Sequence, residues 1–246
     1  MLGLGFLAFS FEGLICIVMA SPLLGGIALI GGLVGYAIQY RGAGDKEIAK
    51  TTFLLFLLLP LSGALERDQV LPASKVVTRV AIAAPVQVVW DQLVAFSPIP
   101  EKRAWLFHTG VAYPTHAEIR GTGPGAIRYC YFSTGRFVEP IDVWDEPFRL
   151  AFRVSERPDP MKELSPFGEI HPPHLQGTLL TERGEFLLEP QADGGVLLTG
   201  TTWYRQNLWP NLYWRLWTNW IIHQVHERVL GHIRLQAEGA APVDDP

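Results

Sequence analysis

From Gly13 to Tyr40 the chain runs through 28 consecutive uncharged, mostly apolar residues. A helix needs about 20 apolar residues to cross a hydrocarbon core of roughly 30 Å, where every backbone polar group must be satisfied within the chain. The first 40 residues carry a single charge, Glu12. The run is too long and too apolar for a signal peptide, and no Lys or Arg precedes Arg41 to supply a positive n-region. Leu2 to Ala20 reads as one span, Ser21-Pro22 as its turn and Leu23 to Tyr40 as a second span, with Gly25-Gly26 and Gly31-Gly32 permitting close helix contact. A third apolar stretch, Thr51 to Leu65, reaches only about 22 Å as a helix and contains Pro60, so a crossing and a tilted or interfacial helix both fit. Residues 1–65 are therefore read as a membrane anchor of two or three apolar helices.

Arg41, Lys46 and Lys50 separate the second and third stretches, and positive charge beside a span favours the cytoplasm. A third crossing puts the domain that follows on the outer side, the periplasm if the membrane is a bacterial inner membrane. Without that crossing the domain stays cytoplasmic. Glu12 is costly in lipid unless it faces another helix, lies near an interface or is neutral. The chain begins abruptly inside an apolar run, as a shortened form of a longer membrane protein would.

After a polar linker, residues 66–74, the remaining length suits one domain with a substantial core, residues 75–238, and a flexible tail, residues 239–246. From Glu66 onward 17 Lys and Arg face 21 Asp and Glu, a net of −4 without a basic run, which argues against nucleic acid as a partner. Cys16 lies in the apolar segment and Cys130 in a predicted strand, so a disulfide framework is excluded by count.

Val76, Thr78, Val80 and Ile82 alternate with Val77, Arg79 and Ala81 at the two-residue period of a half-buried strand. Pro85 then opens a helix whose Val86, Val89, Trp90, Leu93 and Val94 share one face. Glu101 to Phe107 follow as a second short helix or turn. Strands are predicted at Thr115–Arg120, Ala126–Ser133, Phe137–Trp144, Phe148–Ser155, Leu179–Glu189 and Val196–Arg205, separated mostly by Gly, Pro and Asp turn chemistry. This is the pattern of an antiparallel sheet. Glu156 to Gly177 is rich in proline and too long for a hairpin, so it is expected to fold over the sheet or its mouth. A helix from about Pro210 to Glu238 closes the chain, with Gly239 as its stop.

The order of elements, with Val80 to Trp90, Phe96 to Pro100, Gly121 to Arg128, Val143 to Phe152 and the terminal His232 to Glu238, resembles the START-like superfamily, which includes the polyketide cyclases and lipid-transfer START domains. The resemblance covers roughly residues 75 to 238. It implies an α+β helix-grip fold in which a curved antiparallel sheet wraps a long C-terminal helix around an apolar tunnel. In that tunnel the implied ligand-binding residues are Phe148, Leu150, Phe152, Glu139, Arg183, Tyr204, Trp217, Ile222 and His226. The superfamily shares a cavity, not a catalytic motif.

The expected partner is accordingly a hydrophobic small molecule or lipid, held beside a membrane, with no cofactor required. Acid or base work in the same tunnel, as in a cyclase or dehydrase, would fall to Glu139, Glu185 or His226, because burial moves the pKa of a carboxylate or imidazole into a useful range. A structural or sensing module with a filled interior is a third possibility. His171-Pro-Pro-His174 invites a metal reading, with Glu163, Glu169 or Cys130 as further ligands, but no third ligand sits at a recognised spacing, and loop hydrogen bonding is the plainer expectation. Trp209, Trp214, Trp217 and Trp220 crowd the start of the last helix, either docking against the bilayer or packing on the sheet and capping the cavity.

Overall fold

The computed structural model describes residues 14–40, 61, 63, 72–100, 104–162 and 177–240. Its first element, α1, is one helix from Leu14–Tyr40. Ser21-Pro22 therefore does not turn the chain, and the two-span reading is corrected. The reason is local. Pro22 has no N–H, so the carbonyl of Val18, four residues back, loses its helical donor, and the Ser21 hydroxyl donates to that carbonyl instead, at 2.9 Å. Residues 2–13 of the expected first span, and nearly all of the third apolar stretch, lie outside the described residues. Ile15–Ala37 is long and apolar enough to cross a membrane, with a mean hydropathy of 2.1.

The domain begins with β1 (Ser74–Ile82) and α2 (Val86–Val94), followed by a 3-10 turn at Trp105–His108. Then come β2 (Pro114–Arg120), β3 (Ile127–Phe132), β4 (Gly135–Asp145), β5 (Arg149–Arg153), β6 (Leu179–Pro190), β7 (Val196–Gln206) and α3 (Asn211–Ala240). The two-residue period predicted for β1 is visible in its burial: Val76, Thr78 and Ile82 point inward while Val77 is exposed. Val89, Trp90 and Leu93 are the buried face of α2. Within the domain the last helix departs from expectation at its end, since α3 runs through Gly239 to Ala240, while β4 starts two residues before the predicted strand and β5 is shorter at both ends.

The seven strands form one antiparallel sheet in the order β1-β7-β6-β5-β4-β3-β2. At about 4.8 Å per strand a flat sheet of this size would hold its two edges about 29 Å apart, far more than the roughly 10–12 Å width of a helix. Yet α3 touches both edge strands, β1 and β2, as well as β7 and α2. The sheet is therefore curled around α3, a helix-grip arrangement. Leu150, Leu188, Leu198, Leu230 and Ile233, each almost fully buried, join Val89 and Leu93 of α2 in the main core.

Gly184 on β6 stands opposite Phe152 on β5. A Cβ at Gly184 would lie 2.5 Å from the tip of the Phe152 ring, so the absent side chain is what lets that ring lie across the inner face. We expect Gly184→Ala to displace Phe152 and to destabilise the domain by about 1–3 kcal/mol. Urea unfolding followed by tryptophan fluorescence measures this, and a midpoint equal to wild type would contradict the packing described.

Candidate functional site

The middle of the curled sheet faces α3 across a partly open cavity of about 160 Å³. Phe132, Phe137, Phe152 and Phe186 supply its sheet wall, Ile221, Ile222, Val225 and Val229 its helix wall, and Arg157 to Pro160 border it from the loop after β5. The volume is below the roughly 300 to 1,000 Å³ of pockets for drug-sized molecules and close to the roughly 150 Å³ hollow that admits benzene. One small ring or a short stretch of chain fits such a space.

Two groups of polar side chains interrupt this apolar lining. Arg128 on β3 and Glu139 on β4 are direct cross-strand partners, and both line the cavity. The Arg128 guanidinium donates to the Glu139 carboxylate and to the Val94 carbonyl at the end of α2, at 3.1 Å. It also lies 5.5 Å from the Phe96 ring centre, 5.8 Å from that of Phe152 and 5.7 Å from that of Phe186. Burial pulls the Arg128 pKa down most strongly of any single influence, but the Glu139 and Cys130 charges and the hydrogen bonds to both together turn the net shift upward. Burial raises the Glu139 pKa, with Arg128 opposing without reversing the shift. The guanidinium is thus the fixed charge and the carboxylate the member that can take a proton. Breaking such a pair by removing one partner typically costs about 3–5 kcal/mol. Beside it, burial and then Glu139 push the Cys130 thiol up to about 12, which makes it an unreactive core thiol.

The second group centres on His226 of α3. Its Nε2 lies 2.7 Å from Thr202 Oγ1 on β7 and its Nδ1 lies 2.9 Å from Thr78 Oγ1 on β1. Thr78 Oγ1 is also 2.7 Å from His223 Nδ1, and His223 Nε2 is 3.3 Å from Glu227 Oε1 at the surface. Burial, and secondarily His223, push the His226 pKa down to about 4. The imidazole in the cavity wall is therefore neutral near neutral pH.

Of the residues that the sequence assigned to the tunnel, Phe152, Glu139, Ile222 and His226 line the cavity. Arg183 and Glu185 border it as well, but their charged ends are engaged elsewhere. Arg183 lies 4.1 Å from the Trp203 ring centre, and the Glu185 carboxylate accepts from Arg149 at 2.7 Å. Both sit on strand positions alternate to Phe186, whose ring faces inward. Leu150 is not at the cavity, being packed in the solid core, and Tyr204 is buried with its hydroxyl on Asn219 Oδ1, at 2.7 Å. Phe148 precedes β5 and is 42% exposed. Trp217 belongs to a separate cluster around Leu106, Phe107 and Val111. His171, His174, Glu163 and Glu169 lie outside the described residues, among which no group of three His, Cys, Asp or Glu side chains could hold a metal.

That separate cluster joins the domain to α1. Trp214, Trp217 and Trp220 pack on the cluster that holds Ile15 and Met19 together with Leu106, Phe107 and Val111, and the Tyr213 hydroxyl donates to the Met19 carbonyl. Trp214, Trp217 and Trp220 thus belong to the cluster that receives the start of the apolar helix, and neither they nor Trp209 are among the residues that line the cavity. Trp105, Leu212 and Leu216 remain exposed at this end.

Sequence reasoning missed Arg128, Thr78 and Thr202. A signal existed for the first. With Ser133-Thr134 as a tight turn, Phe132 pairs with Gly135, and counting back along both strands puts Arg128 opposite Glu139. No comparable count links Thr78 to His226, 148 residues apart.

No family model matches the chain, and no curated protein matches it. Solved structures to which it is similar include a protein from Nitrosospira multiformis, 16% identical, TM-score 0.43, over 67% of this chain and 96% of that one. Norcoclaurine synthase of Thalictrum flavum is 13% identical, TM-score 0.43, over 70% of this chain and 100% of that one. The major latex-like protein 151 of Panax ginseng is 11% identical, TM-score 0.40, over 67% of this chain and 97% of that one. Likeness at this level carries no function across; the fold stands on the strand order and the gripped helix.

An unfolded histidine titrates near about 6.5, whereas folded His226 is held at about 4. Between these values the unfolded chain binds more protons, so the stability that His226 contributes is complete above about pH 6.5 and is lost as pH falls through about 4. His232, lowered chiefly by burial, acts in the same direction, and Glu139, raised, in the opposite one. We expect the urea midpoint to fall over this window in the wild type and to fall less in His226→Gln. Equal slopes in the two chains would contradict a buried neutral imidazole.

Proposed function

We propose that this chain is a membrane-anchored START-like domain that binds a small hydrophobic molecule, or one end of a lipid or isoprenoid-like chain, and shields or presents it unchanged. The observation that carries the reading is the apolar cavity between sheet and helix. At about 25 cal/mol per Å² an apolar contact surface supplies affinity with only one or two polar groups for orientation.

Support for the anchor comes from burial along α1. Ile15, Cys16 and Met19 are buried, while residues 21–40 are almost wholly exposed. Those twenty residues of apolar helix measure about 30 Å, the thickness of a hydrocarbon core. Gly63 lies back against the Trp209 ring, so the chain leaves the domain along α1 and has returned to it by residue 63. In the sequence Arg41, Lys46 and Lys50 follow α1, and positive charge beside a span favours the cytoplasm. On this reading the domain lies on the outer side, which is the periplasm if the membrane is a bacterial inner membrane. Its exposed Trp105, Leu212 and Leu216 face lipid headgroups at the anchored end, where indoles are favoured.

A second reading is an acid–base enzyme of the cyclase or dehydrase type. The neutral imidazole of His226 in the cavity wall favours it. Glu139 suits that role less, since its carboxylate is committed to Arg128.

Native mass spectrometry of the full chain, extracted in detergent, tests the proposal. We expect the 27.4 kDa chain to carry a small hydrophobic adduct that is released unchanged after incubation. Ile222→Trp, which fills the cavity from α3, should remove it. A chain without adduct, or one whose adduct survives Ile222→Trp, would contradict the cavity reading; an adduct converted during incubation would favour the enzyme.

A further inference from the structure

The five side chains running from the cavity to the surface, Thr202, His226, Thr78, His223 and Glu227, form an unbroken row of hydrogen-bonding contacts at 2.7, 2.9, 2.7 and 3.3 Å. Donor and acceptor inventory leaves this row only two arrangements. The Glu227 carboxylate only accepts, so His223 Nε2 carries a proton. When His223 Nδ1 is also protonated it donates to Thr78, Thr78 donates to His226 Nδ1, and His226 Nε2–H donates to Thr202. The Thr202 proton is then left for another acceptor. When His223 is singly protonated the Thr78 hydroxyl turns toward it, His226 carries its proton on Nδ1, and Thr202 donates to His226 Nε2. Thr202 then offers only a lone pair. Thr202 and His226 both line the cavity, whereas Thr78 does not.

A hydroxyl facing phenyl and aliphatic side chains is costly unless its spare bonding capacity is used. We propose that Thr202 and His226 form the polar subsite of the cavity, holding one carbonyl or hydroxyl oxygen of an otherwise apolar ligand, with the sense of the hydrogen bond set from the surface through Thr78 and His223. This rests on the cavity reading and names the chemistry of its ligand. The groups facing His226 do not compete for the role. Among the described residues its side-chain hydrogen-bonding contacts are the Thr78 hydroxyl on β1 and the Thr202 hydroxyl on β7; of the charged groups in the sheet wall, Arg128 and Glu139 hold each other, Arg183 lies on the Trp203 ring and Glu185 accepts from Arg149. The depressed pKa of His226 agrees with a neutral ring that is a donor at one nitrogen and an acceptor at the other.

The test uses the full chain in lipid nanodiscs and two probes of matched shape, acetophenone and α-methylstyrene, which differ by a carbonyl oxygen against a methylene. Affinities by ligand-observed NMR are compared between wild type and Thr202→Val for each probe, so partition into lipid cancels. A lost neutral hydrogen bond predicts that Thr202→Val weakens acetophenone about fivefold to tenfold and leaves α-methylstyrene unchanged. Thr78→Val, which removes a residue outside the cavity lining, should weaken acetophenone as well and change the His226 nitrogen shifts of histidine-labelled chain. Binding of both probes with no selective loss in Thr202→Val would overturn the subsite while leaving the cavity reading intact. Equal loss of both probes would make the effect structural and overturn it too. Acetophenone affinity untouched by Thr78→Val would overturn the relay, and failure of both probes to bind wild type would overturn the subsite together with the cavity reading.

Discussion

Everything in this domain follows from a sheet forced to close on a single helix. Because α3 meets β1 at one edge and β2 at the other, the intervening strands must arch away from it, and the space beneath the arch has to be filled by side chains or left open. Near the α2 end it is filled, by Leu93, Leu150, Leu188, Leu198, Leu230 and Ile233. Farther along, aromatic rings on the sheet and branched aliphatic residues on α3 stand back from one another. Gly184 and Phe152 show how finely the arch is set, since a single methyl group would push a ring out of place.

A hollow with apolar walls concentrates the consequences of every polar group in it. Arg128 and Glu139 are held in their places by register across β3 and β4 and close on each other, which leaves the sheet wall nearly neutral as a pair. On the helix side, desolvation keeps His226 uncharged. The cavity thus carries two polar fixtures with different characters. One is a closed ion pair that ties β3 and β4 to the end of α2 through the Val94 carbonyl; the other is a chain of hydroxyl and imidazole groups that reaches the surface through His223 and Glu227.

The strand and helix pattern was legible in the sequence because alternation and turn chemistry are local. Thr134-Gly135, Asp145 to Pro147 and Asp193 to Gly195 each mark a reversal that the structure contains. Pro22 misled, because a proline usually breaks a helix, and only the neighbouring Ser21 hydroxyl shows how this one is accommodated. The site was harder to read. Alternation along β5 put Phe148, Leu150 and Phe152 on one face, but it could not tell the exposed entry of the strand from solid core or from cavity wall. Trp217 looked like tunnel lining from its place on the last helix, yet the helix turns that side toward the 3-10 turn and the start of α1. The Thr78 contacts depend on how α3 lies across β1, which no local pattern encodes.

The same end of α3 that gathers the tryptophans also receives the apolar helix: Trp220, Ile221 and Val225 pack on the cluster that contains Ile15 and Met19 at the start of α1, and Ile221 and Val225 also line the hollow. The central claim is that this hollow is real and greasy. A crystal structure of the full chain under xenon pressure tests it most directly, because xenon settles in dry apolar cavities of this size. The account predicts a xenon peak bounded by Phe152, Ile222 and Val229; an interior closed by repacked side chains, with no xenon between the sheet and α3, would contradict it.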